Sequence, residues 1–464
     1  MTLPTNIVII GAGSAEFAEN TFSSIMACER LRGSTLSLVD INAEMLKASR
    51  GLAERINREW NSNIVLRAYP HHREALEGAQ FVVSAIEVGP REELWRKDFE
   101  LTLKHGLRQP YGENGGPGAF AHAARNLLPL MEIIRDMETL CPQAWFVNFS
   151  NPMVRLCEAV NRHSKIRVVG LCHQIYAGYV MVGAALAQDL GIEVPPELNG
   201  LHAAPDQYMA QYQVRQQIVP RVDIRAAGTN HFTWMLSIRD RQTGEDLYPL
   251  FRKRLREMDP AFEPLTRDVF EAFGLCPVPG DTHLCEYLPW VSDPSTRPWE
   301  KYDIKLYDWE MMAAVRAFKQ NRLESMANGE LTLDGLRETD SEGALEMIEN
   351  ISGGTTHYHP AVNLPNAGQI TNLPIGATVE TPAIVDGAGI HPVHMGALPE
   401  PIAELCRREL TVAQLCVEAA LEGSREKALQ CLLLDPTARD IQTTKNILDD
   451  ILVTFRAYLP QFWK

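Results

Sequence analysis

The feature that most constrains this chain is its beginning, where a short apolar run leads directly into a glycine turn. Residues 6–10 are apolar and mostly β-branched, and Gly11-Ala12-Gly13-Ser14 follows them. A helical stretch then runs from about residue 16 to residue 30. A strand, a turn with two closely spaced glycines and a helix are typical of a dinucleotide-binding fold, because the glycines let the backbone approach a pyrophosphate. Glu16 stands where the third glycine of the full motif would be, so the match is incomplete.

Strands and helices alternate through the first part of the chain. Further strands are predicted at residues 35–39, 64–68, 81–86, 144–148 and 166–172, with helices at 43–60 and 73–77. The run at 81–86 is apolar almost throughout, as in a strand that is buried on both faces. This alternation indicates a parallel sheet covered by helices.

The pattern changes after about residue 200, where strands and helices mix without regular alternation. Strands are predicted at 224–227, 233–239 and 377–385, and helices at 308–319, 402–422 and 443–458. The stretch 340–365 is expected to be irregular, with His357 and His359 at the surface rather than in an active-site loop. We therefore predict a Rossmann-type doubly wound parallel sheet in residues 1–200. An α+β catalytic lobe in residues 201–464, as in lactate and malate dehydrogenases, would bind substrate and metal and mediate oligomerisation.

Composition excludes some classes of partner. The 464 residues carry a formal net charge of −15, which argues against a nucleic-acid-binding protein. No run approaches the roughly 18 apolar residues of a membrane helix, and the first residues lack the basic stretch of a signal peptide. A cytoplasmic protein is expected. Its nine cysteines are scattered without a Cys-x-x-Cys pair and should be reduced thiols.

The carboxyl ends of the predicted strands carry many polar residues, and ligands of open α/β sheets bind beyond these ends. Asp40 ends the second strand, where a carboxylate can bind ribose hydroxyls and would repel a 2′-phosphate, so NAD is favoured over NADP. The alternative is a glycine turn beside a surface aspartate. The next strand ends lead into Glu87, into Asn148-Phe149-Ser150-Asn151-Pro152 and into Cys172-His173-Gln174.

Three other segments carry groups suited to chemistry. The loop Glu113-Asn114-Gly115-Gly116-Pro117-Gly118 can lie close to a ligand. Cys172-His173 and the segment 228–234, which holds His231, offer a thiolate and an imidazole, which suit a divalent cation with positions left open for substrate hydroxyls. Core or surface positions are the alternative for both. In an extended segment 280–287, Asp281 and His283 would share one face and could act as acid or base, unless the segment is only a hydrogen-bonded loop.

Taken together, these motifs resemble glycoside hydrolase family 4. The resemblance covers nearly the whole chain and rests on several motifs in the expected order. They are Gly11-Ala12-Gly13-Ser14, the 113–118 loop, Asn148-Phe149-Ser150-Asn151-Pro152, Leu171-Cys172-His173, Gly228-Thr229-Asn230-His231-Phe232, Tyr287-Leu288-Pro289-Trp290, Asn372-Leu373-Pro374 and Asp435-Pro436.

The resemblance implies an unusual hydrolytic route. NAD would take a hydride from C3 of the sugar, and the resulting ketone acidifies the C2 proton. Mn²⁺ or another divalent metal, chelated by oxygens at C2 and C3, would stabilise the enediolate. The aglycone then leaves by elimination, water adds to C1, and the hydride returns to C3. NAD would be recycled within each turnover.

The resemblance also implies roles for single residues. Cys172 and His231 are similar to the family's metal ligands, and Asn151 is similar to the asparagine that contacts sugar and nicotinamide. Glu113 occupies the carboxylate position of its loop, and His173 lies next to the metal cysteine on the substrate side. The remaining assignments are Asn148 and Asn230 as orienting groups, and Gly11, Gly13, Ser14, Asp40 and Glu87 as cofactor-binding residues. The C2 base is expected in the region 281–287, with Asp281 favoured over Tyr287 and His283.

The residues after the metal cysteine bear on the substrate. Cys172-His173 is similar to the α-galactosidase and α-uronidase branches, but Gln174 stands where the former have Ser and the latter Glu. Trp95 replaces an arginine that the phosphosugar branches carry, so a phosphate clamp is not evident. Cations that could bind a carboxylate instead are Arg91, Arg96 and Lys97. We expect a non-phosphorylated α-galactoside or α-uronide.

Two other functions stay open at this point. An NAD-dependent sugar or hydroxyacid dehydrogenase of similar fold would accumulate NADH. A non-catalytic dinucleotide sensor would not need the metal residues, so replacing Cys172 would leave it unchanged. By analogy with similar folds, the chain is expected to form a homodimer or homotetramer. A small glycoside is the expected ligand, with no nucleic acid or membrane as partner.

Overall fold

A single mixed sheet runs through the whole molecule. The computed structural model describes residues 2–14, 18–109, 111–202, 204–339 and 341–464. Its strands are β1 (Asn6–Ile10), β2 (Thr35–Val39), β3 (Val65–Tyr69), β4 (Phe81–Ser84), β5 (Trp145–Asn148), β6 (Arg167–Gly170), β7 (Val222–Thr229), β8 (Phe232–Asp240), β9 (His357–Pro365), β10 (Thr378–Asp386) and β11 (Gly389–Pro392).

Helices cover both faces of this sheet. They are α1 (Ala18–Ala27), α2 (Ala43–Glu59), α3 (Arg91–Lys104), α4 (Gly116–Leu140), α5 (Met153–His163), α6 (Ile175–Ala185), α7 (Ala187–Leu190), α8 (Pro205–Ile218), α9 (Tyr248–Glu257), α10 (Pro264–Phe273), α11 (Asp281–Leu284), α12 (Pro298–Lys301), α13 (Trp309–Asn328), α14 (Ala344–Gly353), α15 (Glu400–Glu422), α16 (Arg425–Leu434) and α17 (Ile441–Thr454). Among the described helices, none combines the length and apolar character needed to cross a membrane.

The strand order confirms the predicted fold class. The sheet runs β3-β2-β1-β4-β5-β6-β9-β10-β7-β8, with β11 paired to β10. The first six of these strands are parallel and follow the 3-2-1-4-5-6 order of a Rossmann fold. The pairings from β6 onward are antiparallel. The carboxyl ends of β1, β4, β5 and β6 therefore meet at one edge.

Local sequence explains these elements. β4 and β5 are buried at every position, as expected of strands covered on both faces. α2 begins after Asn42, whose side-chain oxygen accepts hydrogen bonds from the backbone of Glu44 and Met45. Its buried residues recur at helical spacing, which holds it against the sheet. They are Met45, Ser49, Leu52, Ala53 and Ile56.

The two halves of the chain share this sheet and its core. Gly170 of β6 pairs with Asn363 of β9, so the residues predicted as a second lobe extend the first lobe's sheet. On one face, the apolar side chains of β1, β4 and β5 form a single buried cluster with those of α15, α16 and α17. The boundary at residue 200 therefore falls inside a continuous structure.

Two predictions about local structure are wrong. The stretch 340–365 is not irregular, since it contains α14 and the central strand β9, and His359 is buried. The polar start of β9, His357-Tyr358-His359-Pro360, hides its position inside the sheet. The segment 281–287 begins as the short helix α11 instead of an extended chain. Glu16, where the first helix was predicted to begin, and Asp340 lie outside the described residues.

Candidate active site

A cavity of about 430 Å³ lies at the carboxyl edge of the parallel strands. One wall follows the strand ends, and the opposite wall comes from the later part of the chain, including the tip of the β7–β8 hairpin and α13. The predicted site residues that line it are Ser14, Glu87, Glu113, Asn151, Cys172, His173, His231 and His283. Residues far apart in sequence thus meet around one space large enough for a small ligand.

The glycine turn after β1 packs tightly against its neighbours. Gly11 has φ +83°, and a Cβ atom there would lie 2.5 Å from the carbonyl oxygen of Ala85. The backbone N–H of Gly13 donates to a carboxylate oxygen of Asp40 at 2.7 Å, and a Cβ on Gly13 would lie 2.8 Å from the same oxygen. Only glycine fits both positions without displacement, and Ser14 at the end of this turn lines the cavity.

Glu87 is a partly buried carboxylate three residues after β4. Its oxygens lie 3.0 and 3.1 Å from Nε2 of His122, and one accepts a hydrogen bond from Asn126 at 3.1 Å. Burial favours the neutral acid, but His122 and Arg91 outweigh it and lower the pKa of Glu87 to about 2. The residue is therefore a fixed negative charge on the cofactor side of the cavity.

Cys172 and His231 face one another across the sheet edge. Cys172 follows β6, and His231 lies in the two-residue turn between β7 and β8 with φ +62°. The Sγ atom of Cys172 lies 3.3 Å from Nε2 of His231. Burial raises the pKa of Cys172 and lowers that of His231 well below its usual range. The imidazole is thus neutral, as a metal ligand must be, and a cation at this point would stabilise the thiolate.

Gln174 and Asn230 hold these two ligands in place. Oε1 of Gln174 accepts hydrogen bonds from the backbone N–H of His231 at 3.2 Å and from the hydroxyl of Thr233 at 3.3 Å. Its Nε2 is buried and has no hydrogen-bond partner among the described residues. Asn230 hydrogen-bonds the thiol of Cys172 and donates to Glu380 at 2.6 Å. Gln174 and Asn230 therefore fix the geometry of the Cys172–His231 pair.

Glu113 anchors the glycine-rich loop in the cavity. Its Oε1 accepts from Arg91 at 2.5 Å and from Asn151 at 3.3 Å, and its Oε2 accepts from Asn114 at 3.1 Å. Arg91 lies between Glu113 and Glu87 and is a cavity residue. The side chain of Asn148 lies beneath this region, where it donates to the carbonyl oxygen of Ser150 at 2.9 Å.

The other two cations considered for a carboxylate point away from the cavity. Arg96 and Lys97 lie on the exposed face of α3 and pair with Glu100 and Glu93. Trp95, which comes immediately before them in α3, is buried and packs against Tyr111, Tyr307 and Trp309. Trp95 is therefore part of a buried aromatic cluster and offers no cation to a ligand.

The structure separates the three residues considered for the C2 base. Asp281 accepts hydrogen bonds from the backbone N–H groups of Leu265 and Thr266 at 2.9 and 2.7 Å, so its carboxylate caps the start of α10. Tyr287 stacks on Phe232 and lies outside the lining of the large cavity. His283 lines that cavity, and its ring lies parallel to that of His231 with centroids 4.2 Å apart.

His283 also belongs to a group that could hold a cation. Ligand atoms of Glu113, His231 and His283 lie within 4.8 Å of one another. Glu286, which lies in the predicted 280–287 segment but was assigned no role, is buried next to this group and hydrogen-bonds both His283 and the 113–115 backbone. Its partners in the 113–115 loop lie more than 170 residues earlier in the chain, so no local pattern indicates them.

Comparison with known proteins supports the same assignment along most of the chain. The model of the family 4 glycosyl hydrolases matches residues 6–190, and the model of their C-terminal domain matches residues 226–438. An α-glucosidase of Erwinia rhapontici is 29% identical over 96% of this chain and 97% of its own. An α-galactosidase of Bacillus subtilis is 28% identical, with 98% and 99% covered. An α-galacturonidase of Thermoanaerobacterium saccharolyticum is 26% identical, with 99% and 97% covered.

Solved structures agree with these matches. The lplD protein of Bacillus subtilis has a TM-score of 0.83 at 25% identity and covers 97% of this chain and 100% of its own. A 6-phospho-α-glucosidase from gut microorganisms, solved with NAD and Mn²⁺, has the same fold, with a TM-score of 0.77 at 21% identity and 99% of both chains covered. Its two ligands are those predicted from the sequence. The chain belongs to family 4 of the glycosyl hydrolases.

Proposed function

We propose that this protein hydrolyses a non-phosphorylated α-glycoside, an α-galactoside or an α-uronide, with NAD and a divalent metal such as Mn²⁺ as cofactors. The observation that carries the proposal is the shared cavity of the glycine turn and the Cys172–His231 pair. A nucleotide site and a metal site that open into one space allow a sugar to contact both. An ordinary dehydrogenase has no need for this thiol and imidazole.

The residues present fit both cofactors. Bare backbone at Gly11 and Gly13 leaves room for a pyrophosphate, and Asp40 stands at the end of β2, where a ribose would lie. For the metal, the thiol of Cys172 and the neutral imidazole of His231 lie 3.3 Å apart at the cavity wall, and a cation held by these two ligands keeps coordination positions for sugar oxygens. When bound, NAD supplies a hydride acceptor and donor, and the cation supplies a Lewis acid.

The chain's own side chains would orient the sugar and move its proton. Asn151 and Glu113, joined by a hydrogen bond of 3.3 Å, present an amide and a carboxylate toward the sugar hydroxyls. We assign the removal of the C2 proton to His283, because it lines the cavity and stacks on His231, whereas Asp281 is engaged at the start of α10. The C2–H bond would then point from the cavity at this imidazole.

The choice of sugar rests on which cations reach the cavity. Arg96 and Lys97 are exposed and Trp95 is buried, so these three residues offer no phosphate clamp. Four other cationic side chains line the cavity: Arg91, Arg215, Arg316 and Lys319. Glu113 already binds Arg91, so a uronide carboxylate would have to compete for that guanidinium or use another of the four. The relatives include both an α-galactosidase and an α-galacturonidase, so we propose both sugar classes as substrates.

A panel of aryl glycosides tests the proposed function. The full chain is supplied with NAD⁺, Mn²⁺ and a thiol reductant and given nitrophenyl α-galactoside, α-glucoside, α-glucuronide, α-galacturonide and a 6-phosphoglucoside. Release of nitrophenol from the galactoside or a uronide without net formation of NADH is the expected result. Stoichiometric NADH without nitrophenol would identify a dehydrogenase instead. Hydrolysis of the phosphorylated sugar alone would overturn the assignment of substrate.

A further inference from the structure

Glu286 connects two walls of the cavity. One of its carboxylate oxygens, Oε1, accepts hydrogen bonds from the backbone N–H groups of Glu113, Asn114 and Gly115 at 2.8, 3.0 and 3.3 Å. The other, Oε2, lies 3.0 Å from Nδ1 of His283. The side chain of Glu286 is fully buried, so water does not compete for these contacts.

The loop is shaped to this carboxylate. A Cβ atom on Gly115 would lie 2.4 Å from the backbone oxygen of Glu286, so only glycine lets the loop lie directly against that residue. Three N–H groups directed at one oxygen form a site that suits a negative charge. The carboxylate therefore fixes the position of Glu113, which faces the cavity and binds Arg91.

The same carboxylate fixes the state of the His283 ring. An ionised carboxylate only accepts hydrogen bonds, so the nitrogen that faces it, Nδ1, carries the ring proton. The other nitrogen, Nε2, then keeps its lone pair, on a ring that lines the cavity and stacks on that of His231. A lone pair at this place can accept a proton or a hydrogen bond, whereas an N–H group there could not.

We propose that Glu286 is a positioning residue, which holds the His283 tautomer with a free Nε2 while it fixes the Glu113 loop across the cavity. This deepens the proposed function and rests on it for the role of His283. The carboxylate does not touch the sugar. The Glu286 carboxylate determines which nitrogen of His283 is free to contact the substrate. It also determines where the 113–115 loop lies relative to the substrate.

Replacing one carboxylate oxygen of Glu286 with an amide nitrogen tests the proposal. In Glu286→Gln, the amide oxygen can still accept from the three loop N–H groups, but the amide NH₂ faces His283 and donates. Nδ1 must then accept, and the ring proton moves to Nε2. The matched control is Glu158→Gln, since Glu158 is also fully buried and accepts from the backbone N–H of Thr378, but lies outside the cavity lining.

Two measurements are made on the full chain with ¹⁵N-labelled histidine. In ¹⁵N NMR, with His283 assigned by loss of its signals in His283→Gln, the unmodified protein and Glu158→Gln should show a protonated Nδ1, and Glu286→Gln a protonated Nε2. With NAD⁺, Mn²⁺ and the best aryl glycoside, kcat of Glu286→Gln should fall about 100-fold. Its KM and its Kd for Mn²⁺ should stay within about threefold of the unmodified values, because Cys172 and His231 are intact.

A folded Glu286→Gln protein with an unchanged tautomer, or with kcat within about twofold of the unmodified protein, would overturn the proposal. If this variant does not fold, the spectrum of the unmodified protein decides, since a protonated Nε2 of His283 contradicts it directly. The NMR result does not depend on glycoside hydrolysis. A failure of the proposed function, with no substrate turned over, is therefore distinguishable from a failure of the positioning role.

Discussion

The sulfur of Cys172 lies 3.3 Å from Nε2 of His231, although one residue ends a parallel strand and the other turns an antiparallel hairpin. Without a cation, the partly buried thiol and the neutral imidazole are close enough to share a hydrogen bond. The hydrogen bonds of Asn230 and Gln174 hold this arrangement before any metal binds. Such advance organisation is expected where a ligand completes the site.

Replacing Cys172 should remove the metal. In Cys172→Ser, we expect the affinity for Mn²⁺ to fall by about 100-fold or more, because a neutral hydroxyl replaces a thiolate ligand. Isothermal titration with Mn²⁺ measures this, and chelation followed by Mn²⁺ addition should abolish and restore turnover of the unmodified protein. Cys28→Ser is the control, since this partly exposed thiol does not line the cavity. Equal Mn²⁺ affinity in both variants would refute thiolate ligation.

Turnover in D₂O should place deuterium at C2 of the released sugar. The physical reason is that a proton removed from C2 by His283 exchanges with solvent before it returns, whereas direct displacement at C1 leaves the C2–H bond untouched. Mass spectrometry and NMR of the product measure the label. The same glycoside hydrolysed by an enzyme with two catalytic carboxylates provides the unlabelled reference. A product without deuterium at C2 rules out the elimination route.

Gly11→Ala should weaken NAD⁺ binding by about tenfold or more, because its methyl group would lie 2.5 Å from the oxygen of Ala85 at a positive φ. Fluorescence titration with NAD⁺ measures the change. Gly244→Ala separates the two causes, since Gly244 also has a positive φ of 75° but nothing lies within 4 Å of its added Cβ. We expect normal NAD⁺ affinity in that control. Unchanged affinity in Gly11→Ala would mean that the turn does not hold the dinucleotide.

Replacing Asp281 should lower stability and spare catalysis, whereas replacing His283 should slow catalysis and spare stability. Asp281→Ala should lower the free energy of unfolding by about 1 kcal/mol and leave kcat within a few-fold, because its carboxylate caps α10. His283→Asn should keep the stability and slow C2 exchange by about 100-fold. Urea unfolding and the D₂O assay measure the two effects. A large loss of exchange in a stable Asp281→Ala protein would restore Asp281 as the base.

This contrast shows where sequence reasoning is sufficient and where it is not. A Rossmann sheet can be predicted from the apolar runs of β4 and β5 and from the turn at Gly11. Strands that are buried on both faces require apolar residues, and a tight turn requires glycine, so both features are visible in the sequence. No such pattern in the sequence predicts that Asp281 caps α10. Its partners, Leu265 and Thr266, are backbone groups of another segment, and nothing in residue type identifies them.

Burial should also make stability depend on pH. Glu409 lies on α15, and burial raises its pKa to about 8, against the opposing effect of Arg408. Because this exceeds the unfolded value of 4.5, the folded state binds the proton more tightly. The stability that this proton contributes is complete below about pH 4.5 and is lost as pH rises through about 8.

The side chain introduced in Glu409→Gln cannot ionise. Between about pH 5 and pH 9, the free energy of unfolding of this variant should therefore fall by on the order of 3 kcal/mol less than that of the unmodified protein. Urea unfolding at several pH values measures the slope. Glu404→Gln, on the exposed face of the same helix, should follow the unmodified protein. Identical slopes in all three proteins would show that Glu409 is already ionised in the folded state at neutral pH.

The shared core of β1, β4 and β5 with α15, α16 and α17 has a consequence for how the protein is made. The nucleotide-binding strands leave the ribosome first and are covered on that face by α4 and α5, but Phe455 and Phe462, which pack over these helices, emerge last. The first 200 residues can form their sheet and helices during synthesis, yet the outer apolar face of α4 and α5 stays uncovered until α15, α16 and α17 have been made. We therefore expect that a chain truncated before α15 is held by chaperones and does not accumulate as a free nucleotide-binding domain.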